Sequence, residues 1–303
     1  MEILGGGCSR CHCDCLHRPL VYMQTILLCC KRIPHWRARR LYRRVFCRKE
    51  GNHPAEARKR AIGQGNAKER ERTKKASLVI YICTHTDFDL PDRVRDGYSI
   101  LSIKPLERDY PIPVSLVQEN AITPMQYAYA EGYHIRHLWE HDNGDEWIGI
   151  NGYRKYFFDI PINRTILPIA RKYNMHEQFA DAHNINDLLE CERIIDEKFP
   201  RYKCDYESLQ LYHCNMFVMR RADFWNYCSF VFGVLDEFNK RHGLQTDEDV
   251  RKYVESTKGQ WTKHDAKYQY RLQGYLFERI GTIFFNTYFG IVHKKIHFVA
   301  NKI

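Results

Sequence analysis

Short apolar runs recur along residues 76–303, separated by longer polar or mixed segments. Four of these runs are rich in β-branched and aromatic residues and are too short for buried helices, which is typical of strands covered on both faces. A fifth, shorter run is expected to close the body. The predicted strands are "SLVIYIC" (77–83), "YSILSI" (98–103), "EWIGIN" (146–151), "LYHCNMFVM" (211–219) and "IHFV" (296–299).

Between the runs, apolar residues recur at spacings of three and four, the period of a helix with one buried face. A capping pattern at Thr123 predicts a helix to Trp139, in which Ala128 and Gly132 would allow close approach to the sheet. Further helices are predicted over 184–200, 222–242 and 268–289, and the stripe of the third is Phe224, Cys228, Val231, Leu235 and Phe238. Strands alternating with helices indicate an α/β sandwich around a mostly parallel or mixed sheet.

Charge divides the chain into two parts. Residues 1–75 contain 19 Lys and Arg against 6 Asp and Glu, a net +13, whereas residues 76–303 contain 28 against 31, a net −3. The first part has no sustained apolar face, so we expect a disordered basic extension followed by one folded domain. A basic segment can bind nucleic acid or anionic lipid non-specifically, but the domain itself gives no sign of a specific nucleic-acid partner.

Cysteine usage follows the same division, with seven of the 12 cysteines before residue 48. Cys8 to Cys15 ("CSRCHCDC") matches a c-type haem attachment pattern and could begin a zinc site, although Cys29-Cys30 is a poor second ligand pair. An unstructured extension is the third interpretation. The five later cysteines stand singly among apolar residues, which indicates reduced thiols and a cytoplasmic protein. The apolar run at 20–30 is about half the ~20 residues that span a bilayer, so no transmembrane helix is predicted.

Polar residues follow the predicted strands at the edge where α/β sheets bind ligands. Thr84 and His85 come directly after the first strand, and "GYRKYF" follows the strand at 146–151. Arg154 and Lys155 are suited to an anion such as phosphate, and Tyr153 to stacking on a base or a sugar. An exposed pair of cations at a strand end is an equally good interpretation of the spacing alone.

The last predicted helix contains "RLQGYLFERIGT" (271–282). At about 100° per residue, Glu278 lies about 200° from an apolar face formed by Leu276, Ile280 and Ile283. Gly274 and Thr282 flank it at four residues on either side, so a carboxylate in a groove of small residues could serve as a general base. The alternatives are a surface Glu278–Arg279 pattern or a helix contact that uses the glycines.

Several blocks together resemble a bacterial family of capsule and exopolysaccharide biosynthesis, described as a domain of unknown function and marked by a "GLxHYRRYF" signature. The similar blocks cover about residues 78–290 in the family's order: "IYICTH", "WIGINGYRKYF", "FADAHNINDLLECERIIDEKFPRY", "HCNMFVMRRADFWNYCSFVFGVLDEF" and "RLQGYLFERI". The resemblance implies a GT-A-like, Rossmann-like glycosyltransferase that uses a nucleotide-sugar donor.

The chain departs from the family pattern at three points. Gly152 stands where the signature has His, Lys155 replaces its second Arg, and the "DNIS" box is "ENAIT", which keeps Asn120. GT-A enzymes commonly have an Asp-x-Asp metal site beyond the central strand, whereas this chain has no carboxylate there until Asp159. No cofactor is therefore firmly implied, although Mn²⁺ or Mg²⁺ stays open, and no metal ligand is assigned.

From the resemblance we expect transfer of a sugar to a growing surface glycan, which belongs to a capsule, an exopolysaccharide or an O-antigen. This glycan is the acceptor and is either free or lipid-linked. Thr84, His85 and Tyr153 would lie near the nucleotide, Arg154 and Lys155 at the diphosphate, and Glu278 would deprotonate the acceptor. Lesser cleft candidates are Asn120, His183, His213, Asn215 and Arg279. The protein would be cytoplasmic, with peripheral association at the inner face of the membrane through the extension.

Two alternatives belong to other classes. One is a non-catalytic glycan-binding relative, which the loss of the signature His at Gly152 favours. The other is a protein that binds nucleic acid or a membrane surface through its basic tail. The net charge of −3 on residues 76–303 disfavours the second alternative.

We predict that removal of residues 1–75 leaves folding and transfer chemistry intact, because residues 77–83 form a strand of their own and the tail has little apolar surface. The measurements are melting temperature, donor binding and liposome association at low and high salt. Equal melting is expected, with any difference confined to salt-sensitive liposome association, at about 1 kcal/mol per Lys or Arg near an anionic surface. A much lower melting temperature would show that the tail is structural and would reopen the zinc interpretation.

Overall fold

The computed structural model describes residues 77–117, 124–141, 144–161, 163–170, 173–288 and 291–299. The basic extension over residues 1–75, with its cysteine cluster, lies outside these ranges, and so do Asn120 and the predicted helix cap Thr123. The expectations for those residues remain predictions.

A nine-stranded mixed sheet forms the centre of the described part of the chain. Its strands are β1 Leu78–Thr84, β2 Tyr98–Ser102, β3 Val114–Leu116, β4 Trp147–Gly152, β5 Lys155–Tyr156, β6 Ile166–Pro168, β7 Phe217–Arg220, β8 Val292–Lys294 and β9 His297–Phe298. Their order is β3-β2-β1-β4-β7-β6-β8, and β5 pairs with both β4 and β9. The first four in this order are parallel, whereas β7 runs antiparallel to β4 and β6.

The centre of the sheet is held by close packing across β1, β4 and β7. Gly149 pairs with Ile80 on one side and Val218 on the other. A Cβ atom at Gly149 would lie 2.9 Å from Ile80 Cγ1 and 3.2 Å from Val218 Cγ2, closer than packed carbon atoms approach. Only glycine lets these two branched side chains meet over the middle strand. The bounds of β1, β2 and β4 confirm the strands predicted there.

Eight α-helices and two short 3₁₀ helices, Pro200–Tyr202 and Tyr206–Ser208, occur in the described residues, and the α-helices are numbered here. They are α1 Gln126–Tyr129, α2 Glu131–Glu140, α3 Met175–Ala182, α4 Ile185–Lys198, α5 Arg221–His242, α6 Asp247–Ser256, α7 Ala266–Gln269 and α8 Leu272–Asn286. The five residues of the predicted stripe on α5 are all fully buried. The α/β sandwich predicted from the sequence is therefore confirmed. The elements α3, α6, β3, β6 and β8 were not predicted, although α6 has a capping box at Thr246 and Asp249.

The helix predicted as one unit up to Trp139 is interrupted at Ala130, whose φ is 49°. The N-terminus of α1 has no side-chain cap of its own. Instead the carboxylate of Asp247, at the start of α6, accepts hydrogen bonds from the backbone N–H of Tyr127 (3.1 Å) and Ala128 (2.9 Å). Gly132 brings α2 close to the Phe277 ring of α8, not to the sheet. The single-helix prediction is wrong because the positive φ of Ala130 breaks the helix where the backbone of Tyr129 and Ala130 packs closely on Gly274 of α8.

The strand predicted over 211–219 is shorter than expected. Only Phe217–Arg220 is extended in the sheet, because Cys214 and Asn215 have positive φ values of 76° and 49°. Two consecutive left-handed residues cannot continue a β-ladder.

The last long helix begins at Leu272 after the separate short helix α7, later than the predicted start at residue 268. In the described residues, no helix combines the length and the apolar character that crossing a bilayer requires.

The buried carboxyl group of Asp187 predicts a pH-dependent stability. It accepts hydrogen bonds from the Tyr253 hydroxyl (2.6 Å) and Asn184 Nδ2 (3.2 Å). Burial raises its pKa from 3.8 to about 6, against the lowering effect of the Tyr253 hydrogen bond. Because the folded-state pKa is raised, the stabilising contribution of this group is complete below its unfolded pKa and is lost as the pH rises through about 6.

We predict that Asp187→Asn, which resembles the protonated carboxyl, gains stability relative to the wild type as the pH rises. The difference in unfolding free energy should grow by about 3 kcal/mol between roughly pH 4 and pH 7. Urea unfolding of both proteins at several pH values measures this difference. Parallel pH profiles for the two proteins would contradict it.

Candidate functional site

A cavity of about 750 Å³ opens between the start of α2, strand β5, helix α3, the segment before β7, and helices α7 and α8. Its lining is mostly polar and carries both signs of charge. The lining residues are Ala130, Glu131, Lys155, Tyr173, Asn174, Glu177, Gln178, Asp181, His183, Leu211, His213, Cys214, Asn215, Tyr268, Arg271, Gly274, Tyr275, Glu278 and Arg279.

Helix α8 supplies one stripe of this lining. Gly274, Tyr275 and Glu278 lie three, four and seven residues after the N-cap residue Arg271, so the four residues share a face of the helix. The opposite face holds the fully buried residues predicted for the core, Leu276, Ile280 and Ile283. The structure therefore places Glu278 on the cavity side, and its side chain is 16% exposed.

The glycines near Glu278 do not form an open groove. A Cβ atom at Gly274 would lie 3.0 Å from the Ala130 Cβ and 3.1 Å from the Tyr129 oxygen, and one at Gly281 would lie 2.9 Å from the Tyr227 hydroxyl. Both glycines therefore permit close packing between elements, which was the alternative interpretation of these small residues. Space for a ligand comes from the cavity and not from the glycines.

The carboxylate of Glu278 joins two parts of the site. Its Oε1 accepts a hydrogen bond from the backbone N–H of Cys214, and its Oε2 accepts one from Arg279 Nη1 at 2.7 Å. Cys214 and the next residue, Asn215, are the two left-handed residues before β7. Glu278 thus anchors an unfavourable backbone conformation, and each of its oxygens retains a second lone pair for a further donor.

Arg279 lies beneath the cavity and is almost fully buried. Its Nη1 also donates to the Tyr275 carbonyl (3.0 Å), its Nη2 donates to Gln178, and its guanidinium lies 5.2 Å from the centre of the Phe179 ring. Burial lowers the pKa of this guanidinium, and the neighbouring Glu278 carboxylate raises it. Arg279 balances the charge of Glu278 and fixes its position.

His183 lines the cavity between α3 and α4 and is buried. Its Nδ1 lies 2.8 Å from Gln269 Oε1, and its ring stacks on Tyr275 with centroids 4.1 Å apart. Burial lowers the pKa of His183 to about 4, so the ring is neutral near pH 7. His213 and Asn215 also line this cavity, so the structure brings these three cleft candidates together with Glu278.

The residues at the strand ends fall into different environments. Lys155 lines the cavity, whereas Arg154 is exposed and its guanidinium lies 4.9 Å from the centre of the Tyr153 ring. That ring in turn meets the edge of His85, with centroids 5.3 Å apart. The Thr84 hydroxyl is buried and donates to the Thr86 carbonyl (2.6 Å), so it belongs to a local turn and does not line the cavity.

The residues beyond β4 do not resemble a metal site. Asn151 is fully buried and its Oδ1 accepts from the Phe157 N–H at 3.4 Å, while a Cβ atom at Gly152 would meet no atom within 4 Å. Among the described residues, no three His, Cys, Asp or Glu side chains gather into a group that could hold a metal ion. The donor set at this strand end therefore does not fit a divalent cation.

Arg271 is a site residue that the sequence did not identify. Its Nη2 lies 3.6 Å from Glu131 Oε2, and both side chains line the cavity. Partial burial lowers the pKa of His85, and the charge of Arg271 lowers it further, whereas Glu131 raises it. Arg271 is therefore near the strand end as well as on α8. The spacing of Arg271, Gly274, Tyr275 and Glu278 was the signal that could have revealed it.

Comparison with known proteins agrees with this architecture. Among solved structures, the apo structure of WbbM, a bifunctional glycosyltransferase, matches with a TM-score of 0.52 and 16% sequence identity. The match covers 74% of this chain and 46% of the other, so this chain spans about half the length of that protein. The fold is thus one found in a glycosyltransferase.

The chain belongs to the family described as a domain of unknown function, DUF4422, whose sequence profile matches residues 79–289. No curated protein matches the sequence.

Proposed function

We propose that the protein is a glycosyltransferase that moves a sugar from a nucleotide diphosphate donor to an acceptor hydroxyl on a bacterial surface glycan. One observation carries the proposal: the carboxylate of Glu278 and the cations of Lys155 and Arg271 line the same cavity beside the end of a central strand. Ligands of open α/β sheets bind beyond the carboxyl ends of the strands. The shared fold supports the same class of activity.

In this proposal the donor's diphosphate lies against Lys155 and Arg271. Lys155 follows closely after β4, and Arg271, which lies 3.6 Å from Glu131, lines the same cavity. As the sugar leaves, negative charge develops on the β-phosphate oxygen, and positioned cations stabilise that charge. Because the strand end does not fit a metal ion, no step is assigned to one. His85 and Tyr153 would contact the nucleotide at the edge of this region.

Glu278 would act on the acceptor. The acceptor hydroxyl transfers its proton to a Glu278 oxygen while its own oxygen forms a bond to the anomeric carbon of the donor. The bond from that carbon to the diphosphate oxygen breaks, and its electron pair stays with the diphosphate. Arg279 and the Cys214 N–H hold the carboxylate in place for this transfer.

The family resemblance suggests that the product belongs to a capsule, an exopolysaccharide or an O-antigen. Its acceptor would be a growing glycan, free or lipid-linked, handled at the cytoplasmic face of the membrane. The basic segment over residues 1–75, with its net +13, would supply peripheral contact with anionic lipid.

A non-catalytic glycan-binding protein is the second candidate. It is favoured by the hydrogen bonds that already occupy both oxygens of Glu278 and by the open space at Gly152, where the family signature has His. A binding protein would use the same cavity but would not need a proton acceptor.

Lys155→Ala should weaken binding of a nucleoside diphosphate, because a hydrogen bond between a charged side chain and phosphate contributes about 1.5–3 kcal/mol. Arg154→Ala is the matched control: it removes the neighbouring cation, which is exposed and packs on Tyr153 outside the cavity lining, so the loss should be smaller. Titration calorimetry with UDP and GDP measures both variants. An equal or larger loss for Arg154→Ala would assign the diphosphate to the strand-end pair as a whole.

Glu278→Gln should retain donor binding and lose most turnover, because the amide oxygen can still accept from the Cys214 N–H but cannot take up the acceptor's proton. A general base contributes typically about 10²–10⁴-fold. Glu248→Gln on α6, an exposed residue outside the cavity lining, is the control for the same chemical change. Turnover is followed by release of nucleoside diphosphate. Turnover near the wild-type rate in a folded Glu278→Gln protein would remove Glu278 from the mechanism.

A further inference from the structure

Strand β9 carries an exposed apolar side chain beside the cavity. Phe298 is the most exposed large apolar residue in the part of the chain that the structure describes, at 64%. It is the partner of Lys155 in the antiparallel ladder between β5 and β9. Directly opposite residues of such a ladder carry their side chains on the same face, with Cβ atoms about 5 Å apart. Because Lys155 lines the cavity, Phe298 lies at the rim of that cavity.

A second exposed apolar side chain lies near the preceding strand. Ile169, which follows β6, is 55% exposed, and its backbone N–H donates to the carbonyl of Lys294 in β8 at 3.1 Å. Only Lys295 and Ile296 connect β8 to β9, and Ile296 is buried in the core. Strand β8 ends the strand order, and β9 pairs only with β5 among the described strands. The segment from β8 to β9 is therefore an edge of the sheet that carries exposed apolar side chains.

The exposed charges of this segment are cationic. Arg154 and Lys295 are both exposed, and the Arg154 carbonyl accepts a hydrogen bond from the Val299 N–H (3.1 Å), which places Arg154 beside β9. Residues 163–170 and 291–299 together contain three Lys and Arg and no Asp or Glu. We refer to the following residues as the basic edge: Arg154, Lys155, Ile169, Lys295 and Phe298.

The neighbouring carboxylates are paired or belong to the cavity. Asp159, which follows β5 by three residues, forms an ion pair with Arg93 at 2.6 Å. The carboxylates of the cavity lining stand on the helices α2, α3 and α8, and they are Glu131, Glu177, Asp181 and Glu278. The basic edge itself therefore combines positive charge with exposed apolar side chains.

From this arrangement we infer that the basic edge docks the protein on an anionic lipid bilayer and holds the rim of the cavity at the lipid surface. The inference deepens the proposed function and rests on it for one consequence: a lipid-linked acceptor would present its sugar beside Lys155 without leaving the membrane. Exposed apolar side chains insert at the boundary between headgroups and acyl chains, and each nearby Lys or Arg raises the affinity for an anionic surface about fivefold.

A second copy of this chain is a poorer occupant of the basic edge. In a two-fold dimer the same patch of both copies forms the interface, so the cations of one copy would face those of the other. Like charges placed against each other in an interface oppose association. An anionic bilayer instead complements both the cations and the apolar side chains.

The test measures binding of the full-length protein to vesicles of phosphatidylcholine with and without anionic phosphatidylglycerol. Phe298→Ala should weaken binding to the anionic vesicles about three- to tenfold, and Lys295→Glu about five- to thirtyfold. Leu116→Ala is the matched apolar control, since Leu116 is 47% exposed on β3 at the other end of the strand order. Lys258→Glu, at an exposed lysine after α6, is the control for the change in net charge. Neither control should alter binding as much as the variant it matches.

Hydrogen–deuterium exchange of the same full-length protein shows which segment the vesicles cover. We expect slower exchange at residues 291–299 with anionic vesicles and no change at β3. Protection confined to residues 1–75, or equal losses of binding in the variants and their controls, would overturn the docking edge, because lipid would then be held by the basic extension or by net charge alone. Protection of 291–299 that appears without vesicles and rises with protein concentration would assign the edge to a second copy and would also overturn the inference.

The affinity of the wild type for UDP separates this inference from the proposed function. Vesicle binding that depends on Phe298 and Lys295, in a protein that binds no UDP and transfers no sugar, would leave the docking edge standing and reject the transferase. UDP binding and sugar transfer by a protein whose vesicle binding is insensitive to both substitutions would reject the docking edge and leave the transferase standing.

Discussion

The geometry of the cavity depends on the contact between Glu278 and the backbone N–H of Cys214. On one side of it lies α8, whose apolar face is fixed in the core. On the other side lies a backbone segment with two consecutive positive φ values, a conformation that L-residues adopt only when neighbouring contacts stabilise it. Arg279 completes the arrangement, because a buried guanidinium needs a nearby anion. A single carboxylate therefore shapes the wall of the cavity.

The sheet determines where this wall meets the ligand. Gly149 allows β1, β4 and β7 to pack closely, and the parallel pair β1 and β4 then ends at His85 and at the turn that contains Lys155. The cavity begins at this edge and continues along α8. The strand-end cations and the α8 carboxylate are thus brought together by two rigid elements, while the turn and the segment before β7 adjust to them.

Charge is distributed unevenly around the site. Lys155 lies just after the central strand, Arg271 lies between Glu131 and the Tyr275 ring, and Glu177 lines the cavity on α3. Because electrostatic interactions are stronger where water is partly excluded, the cation of Lys155 favours an anionic group beside the strand end. In the proposed function this group is the diphosphate of the donor.

The sequence by itself determined which segments are buried and which faces they bury. The apolar runs at β1, β2 and β4, the stripe on α5 and the outward position of Glu278 all follow from periodicity, since burial of one face depends only on local spacing. The family resemblance added the transferase fold and the order of its blocks. The sequence could not show that the positive φ of Ala130 interrupts a helix, because Ala130 packs on Gly274 of α8, more than a hundred residues away.

Tertiary structure alone decided which polar residues share a site. Arg154 and Lys155 are adjacent in the chain, yet only Lys155 lines the cavity, because neighbouring residues at a strand end face different directions. The Thr84 hydroxyl donates a hydrogen bond within a local turn. Three residues that were not predicted from the sequence line the cavity: Tyr268, Arg271 and Tyr275. Periodicity shows whether a face of an element is buried or exposed. Which other element contacts that face depends on how segments distant in sequence pack together. For that reason the core could be predicted from the sequence, and the composition of the cavity could not.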